Sequence, residues 1–130
     1  MAFYFDTSAL VKLVLAEAES DVLVDWLNAE EPDVVSSDLA RAELPRAVAR
    51  NHPDAPVRAG RLLESIELLP LTVAAFTEAG RIGPATLRTL DAIHLATALR
   101  LGSDLEGIVA YDDRLADAAR RNGVAVLAPR

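Results

Sequence analysis

Five short apolar runs punctuate the chain, separated by longer stretches whose apolar residues recur at helical spacing. That rhythm drives a chain toward an α/β domain with a mostly parallel sheet. Strands are expected at Ala2–Asp6, Asp33–Ser36, Glu67–Leu71, Ile108–Tyr111 and Ala125–Leu127. Thr7 to Ala16 carries Leu10, Leu13 and Val14 on a helical repeat, and Ser20 can cap a second helix holding Val22, Leu23, Trp26 and Leu27. Ser37 can cap the helix that bears Glu43, in which Pro45 predicts a kink or a late start. Helical segments follow at Val57–Ser65, at Val73–Ile82, at Leu90 to Leu101 behind a Thr89 cap, and at Asp113 to Asn122 before Gly123. No repeat, low-complexity tract or linker interrupts residues 1–130, which are expected to form a single domain around one core.

Apolar residues make up 52% of the chain, which argues against disorder and leaves some surplus for a protein interface. Aromatics at 5% argue against a base-stacking platform. The net charge of −7 runs against generic nucleic-acid binding, although bound cations would offset part of it and Arg41, Arg46, Arg50 and His52 crowd one segment. With no cysteine there are no disulfides, thiolate metal sites or cysteine nucleophiles. No apolar run approaches the ~20 residues that span a bilayer, and no cleavable leader opens the chain, so a soluble, cytoplasmic protein is expected.

Four acidic residues fall where a soluble domain has little structural use for them. Asp6 ends the run Ala2-Phe3-Tyr4-Phe5, and Asp112 ends Ile108-Val109-Ala110-Tyr111. Glu43 lies inside the helical stretch Asp38 to Arg50, and Asp91 opens Ala92-Ile93-His94-Leu95-Ala96. Open parallel sheets bind ligands outside the carboxyl ends of their strands. Asp6 and Asp112, as last residues of strands, are expected at that edge, and Asp91 in the first turn of its helix points the same way. Each acid has a plainer reading: Asp6 as an N-cap, Asp91 as a first-turn acid, Glu43 as a partner for Arg46, Asp112 and Asp113 as a helix-start pair. Four such coincidences at mutually consistent places are much rarer than one. Burying a lone carboxylate is costly or forces its protonation, so converging carboxylates usually surround a cation. An all-oxygen set suits Mg²⁺ or Mn²⁺, ions that commonly serve phosphate chemistry.

The segments Phe5-Asp6-Thr7-Ser8-Ala9-Leu10-Val11-Lys12, Arg41-Ala42-Glu43-Leu44, Leu90-Asp91-Ala92-Ile93-His94-Leu95-Ala96-Thr97-Ala98 and Tyr111-Asp112-Asp113-Arg114-Leu115 resemble the PIN-domain family. More narrowly they resemble the VapC-type toxins of bacterial type II toxin–antitoxin pairs, in order and spacing over nearly the whole chain. The resemblance implies a three-layer α/β/α domain with a central, mostly parallel sheet of four or five strands. It implies an endoribonuclease that depends on Mg²⁺ (or Mn²⁺) and hydrolyses RNA phosphodiester bonds. Asp6, Glu43, Asp91 and Asp112 fall at the family's four acidic positions, as metal ligands and catalytic residues. A cognate VapB-type antitoxin and a homodimer are implied as well. Two residues depart from the family's pattern: Ala110 where Thr or Ser is common, and Pro45 two residues after Glu43.

On this reading Asp6 and Asp91 are the principal ligands, while Glu43 and Asp112 complete the shell, hold a second ion or orient the attacking water. Thr7 and Ser8 are candidates to hydrogen-bond carboxylates or waters, with helix capping as the alternative, and Asp113 is expected to face solvent. Glu43, Arg46 and Arg50 share i, i+3, i+7 spacing, which would put the acid and two phosphate-gripping guanidiniums on one helix face. His94 is expected as a core-edge imidazole bonded to backbone or to an acid, with a general-base role as the alternative. Lys12, the only lysine, is expected to face solvent or a partner. Aspartyl-phosphate phosphatases need an acid where Ser8 stands, receiver domains need a late lysine, and no Walker-type glycine loop is present. The rival of another class is a degenerate PIN-like module that binds RNA or protein without cutting. An acidic groove with apolar margins would suit an antitoxin peptide bearing an arginine and apolar anchors.

Overall fold

The computed structural model describes every residue from Met1 to Arg130. Five strands, β1 (Ala2–Phe5), β2 (Asp33–Ser37), β3 (Glu67–Leu69), β4 (Leu105–Val109) and β5 (Val126–Leu127), pair in parallel in the order β3-β2-β1-β4-β5. Seven helices connect them: α1 (Thr7–Val14), α2 (Ser20–Glu30), α3 (Ala40–Val48), α4 (Ala55–Ser65), α5 (Val73–Ala79), α6 (Thr89–Leu99) and α7 (Asp113–Arg121).

Alternation along the central strands sorts the core into two halves, because consecutive strand residues point to opposite faces. Tyr4 and Ile108 pack with Leu95 and Ala98 of α6 and with Leu115, Ala118 and Ala119 of α7. Phe5 and Val109 pack on the other face with Leu10 and Val14 of α1, Leu23 of α2, and Leu44 and Val48 of α3. Helices therefore cover both faces, the three-layer α/β/α arrangement that a parallel sheet requires. Gly107 lets β4 and β5 meet: a Cβ there would stand 3.1 Å from the Ala125 carbonyl oxygen and 3.2 Å from Leu127 Cδ1.

The chain leaves β1 to build β2 and β3 on one side, then returns to lay β4 and β5 on the other. Strand order thus reverses between β1 and β4, and a ligand cleft belongs at their carboxyl ends. Backbone and side chain both tie those ends down. The Asp6 N–H donates to the Val109 carbonyl at 3.2 Å, and the buried Ser36 hydroxyl donates to the Phe5 carbonyl at 2.7 Å.

Several element ends differ from the sequence reading. Ser20 and Thr89 are first helical residues rather than caps, and the residues at the cap positions, Glu19 and Arg88, make no side-chain cap bond. The Ser20 hydroxyl instead staples the preceding turn, accepting from the Glu17 N–H and donating to the Leu15 carbonyl. Ser37 closes β2 as a buried residue and accepts from the Leu39 N–H at 3.3 Å without capping α3. Pro45 sits inside α3; Arg41, whose carbonyl loses that donor, is exposed to water. Gly123 follows α7 with φ +79°, as a left-handed helix-end glycine should.

Candidate active site

β1 delivers Asp6 to the sheet edge, where it becomes the N-cap of α1 while only 4% exposed. Its Oδ1 accepts the Ser8 hydroxyl at 2.6 Å and the Ala9 N–H at 3.0 Å. The Ser8 oxygen in turn accepts the Tyr111 N–H at 3.0 Å, so one hydroxyl joins the turn after β1 to the turn after β4. Oδ2 has no hydrogen-bond partner, yet no buried polar side-chain atom lacks one, so Oδ2 reaches solvent.

Asp112 repeats this arrangement beside it. It stands three residues beyond the last residue of β4 rather than ending the strand, because Ala110 still bonds the Leu127 carbonyl and Tyr111 intervenes. There it caps α7, with Oδ1 accepting the Arg114 and Leu115 N–H groups at 2.9 and 3.0 Å. Glu43 comes from the first turn of α3 and is also held by one oxygen. Its Oε1 accepts the Thr7 hydroxyl at 2.7 Å and lies 2.5 Å from His94 Nε2. Asp91 makes no side-chain hydrogen bond in the first turn of α6. Glu43, Asp91 and Asp112 line one cleft of about 290 Å³ with Arg88, Thr89 and Leu90.

Burial and neighbouring charge act together on these acids. Burial pushes Asp6 up to about 6, with the Asp91 charge adding to the rise against the bonds from Ser8 and Ala9. Asp91 is also raised, first by burial and then by the Asp112 charge. Burial works in the same direction on Glu43, but the hydrogen bonds from His94 and Thr7 and the His94 charge outweigh it and hold the carboxyl low. No lysine or arginine forms an ion pair with any of the four. No three of the acidic or imidazole side chains stand close enough to make a ready ligand set. A larger hollow of about 590 Å³ lies at the opposite, amino end of β1 and β2, beside Met1, Ala2 and Asp33. It collects none of these groups.

The neighbouring residues fall out unevenly. Thr7 and Ser8 each bond a carboxylate, while Asp113 is exposed at the start of α7. Arg46 is exposed on α3 and leaves Glu43 to His94; Arg50 lies past the end of α3, so the expected acid-and-two-arginine face is broken by the helix end. Arg88, which sequence reasoning missed, lines the cleft; its only local signal is its place three residues before Asp91. His94 is 2% exposed and bonds an acid, but that acid is Glu43, and its other ring nitrogen meets Tyr4. Lys12 does not face solvent: its side chain is 11% exposed, bonds Glu19 and Glu17, and lies over the Tyr111 ring at 4.6 Å.

A cleft lined by carboxylates at the carboxyl ends of a parallel sheet, where strand order reverses, is a ligand-binding arrangement of α/β/α domains. The chain belongs to the PIN-domain family, whose pattern it matches over residues 3–121, and stands among its VapC-type members. Ribonuclease VapC46 of Mycobacterium tuberculosis is 48% identical over 128 residues, which are 98% of this chain and 98% of that one. By fold, the crystal structure of the sarcin-ricin loop cleaving toxin VapC20 of M. tuberculosis gives a TM-score of 0.76 at 20% identity, covering 98% of this chain and 99% of that chain. Rickettsia felis VapBC2, solved bound to a DNA fragment from its promoter, gives 0.73 at 14% identity, covering 98% of each. These two likenesses concern the fold alone.

Proposed function

We propose that this protein is a Mg²⁺- or Mn²⁺-dependent endoribonuclease and the toxin half of a toxin–antitoxin pair. One observation carries the reading. Four carboxylates gather at the carboxyl end of a parallel sheet with no lysine or arginine ion pair among them, and Asp6, Glu43 and Asp112 each tie one oxygen to the fold and leave the other free. The likeness to proteins named ribonuclease supports it.

The residues fit such an ion. The donors are all oxygen, and their mutual repulsion is the field a cation relieves. Because no three stand within a shared inner shell, an ion that keeps several waters and takes one or two carboxylates directly suits the spacing. When bound, the ion lowers the pKa of water and offsets charge on the scissile phosphate. Asp6 and Asp91 would be its principal holders, and Glu43 and Asp112 would complete the shell, hold a second ion or orient the attacking water. Ser8 and Thr7 keep the Asp6 and Glu43 carboxylates aimed. Arg88 at the cleft lip, with Arg46 farther along α3, contacts the phosphates that flank the scissile bond.

A VapB-type antitoxin silences the enzyme by offering an arginine to the carboxylates and apolar anchors to their margin. Homodimerisation would use apolar surface such as Val73, 82% exposed, and Phe76, 49% exposed. No helix is long and apolar enough to cross a membrane; the proposed place of action is the cytoplasm. A module that binds without cutting gains nothing from an intact set of four acids. The test is cleavage of mixed structured RNAs in Mn²⁺ by the wild type and by Asp6→Asn, with a loss in the variant of about a hundredfold or more expected from removing a metal-holding charge. Equal cleavage in a chelator, or by the variant, would sink the reading.

A further inference from the structure

The imidazole of His94 spends both its nitrogens on side chains from other elements. Nδ1 lies 2.7 Å from the Tyr4 hydroxyl on β1, and Nε2 lies 2.5 Å from Glu43 Oε1 on α3. A buried histidine that served only the core would more simply bond nearby backbone, as Thr97 on the same helix does by donating to the Ile93 carbonyl. His94 instead reaches from the α6 layer to an acid carried by the opposite helical layer. An ionised carboxylate has only acceptor sites, so Nε2 donates to Glu43. Tyr4 is fully buried, and its hydroxyl at hydrogen-bond distance from Nδ1 sets the ring with Nε2 turned toward Glu43.

We infer that His94, oriented by Tyr4, is a positioning residue that fixes the Glu43 carboxylate so that its second oxygen faces the cleft where the divalent ion and its waters would sit. The inference rests on the proposed metal-dependent reading. It concerns hydrogen-bond geometry, not proton transfer. Thr7 shares the same Glu43 oxygen, so Oε1 is held from two directions. Groups that orient metal-holding residues in this way typically contribute 10- to 100-fold in metal affinity or activity.

Mn²⁺ titration of purified protein, followed by calorimetry or by the spin-resonance signal of free Mn²⁺, tests this with a readout separate from turnover. His94→Leu, folded by circular dichroism, is expected to bind Mn²⁺ about ten- to a hundredfold more weakly and to lose kcat with little change in KM for RNA. His94→Gln, whose amide can donate near the position of Nε2, is expected to remain within about threefold of wild type, since the donated bond survives. Wild-type affinity and kcat in His94→Leu, or equal impairment of the Leu and Gln variants, would overturn the positioning role. If His94→Leu does not fold, Tyr4→Phe decides: weakening beyond about threefold supports the role, and affinity within about threefold of wild type overturns it. A wild type that binds no Mn²⁺ and cuts no RNA instead defeats the nuclease reading, and this inference with it.

Discussion

Asp6 places the needs of chemistry against those of folding within one side chain. Burial pushes its pKa up from 3.8 to about 6, so the native state holds the proton more tightly than the unfolded chain. Its contribution to stability is therefore full below the ordinary aspartate value and is lost as pH rises through about 6. Roughly two units correspond to ~3 kcal/mol. Asp91 shifts the same way, whereas Glu43 is lowered and contributes above its ordinary value, losing that contribution on acidification. Asp6→Asn keeps an acceptor for Ser8 and Ala9 and removes the buried charge. In metal-free protein it is expected to exceed the wild type by about 1–3 kcal/mol above pH 6, with the gap closing toward pH 4. Urea unfolding of both proteins across that range measures it, and a wild type as stable as the variant at pH 7 would contradict the buried, repelled charge.

Two of the four acids are helix N-caps, and the sequence made capping and metal binding look like alternatives. The structure assigns capping to one oxygen and leaves the other free, so at Asp112 the two can be separated by substitution. Asp112→Asn retains an acceptor for the Arg114 and Leu115 N–H groups and should unfold like the wild type while losing RNA cleavage. Asp112→Ala should lose about 1 kcal/mol of stability as well. Denaturant midpoints beside cleavage rates would show whether the two losses separate; an Asn variant that cuts normally would remove Asp112 from the chemistry. The elements themselves were legible because periods of 2 and 3.6 are local properties of the chain. Their ends were less so, since which hydroxyl reaches which N–H depends on the path of the turn; Ser20, Ser37 and Thr89 all offered a cap and none provides one, while Thr72 caps α5 by accepting from the Ala75 N–H. The environments of Lys12 and His94 were illegible for a different reason. Each is set by residues distant in sequence: the Tyr111 ring for Lys12, Tyr4 and Glu43 for His94. Arg88 reaches the cleft only because α6 starts beside α3 and α7 in space.

At the scale of the whole molecule, a chain of net charge −7 gathers four carboxylates at one sheet edge with no lysine or arginine ion pair among them, so a divalent cation bound there is expected to relieve much of their repulsion. Binding to the native state alone stabilises it by about 2.7 kcal/mol at a hundredfold excess over Kd. For a domain of this size that is a rise in Tm on the order of 10 °C. General screening of the negative surface would also raise Tm, so the control is NaCl at matched ionic strength, which weakens surface repulsion without entering the cleft. Thermal unfolding should therefore respond strongly to Mn²⁺ or Mg²⁺, weakly to NaCl, and return to the starting curve on chelation. Asp91→Asn should abolish the divalent response while leaving the NaCl response intact. Asp6→Asn makes the sharper comparison, because without metal it is expected to be more stable than the wild type at pH 7 and with saturating Mn²⁺ less stable. The two proteins' Tm values should then cross as metal is added. Parallel curves would show that the divalent effect is screening and that no ion is held between Asp6 and Asp91.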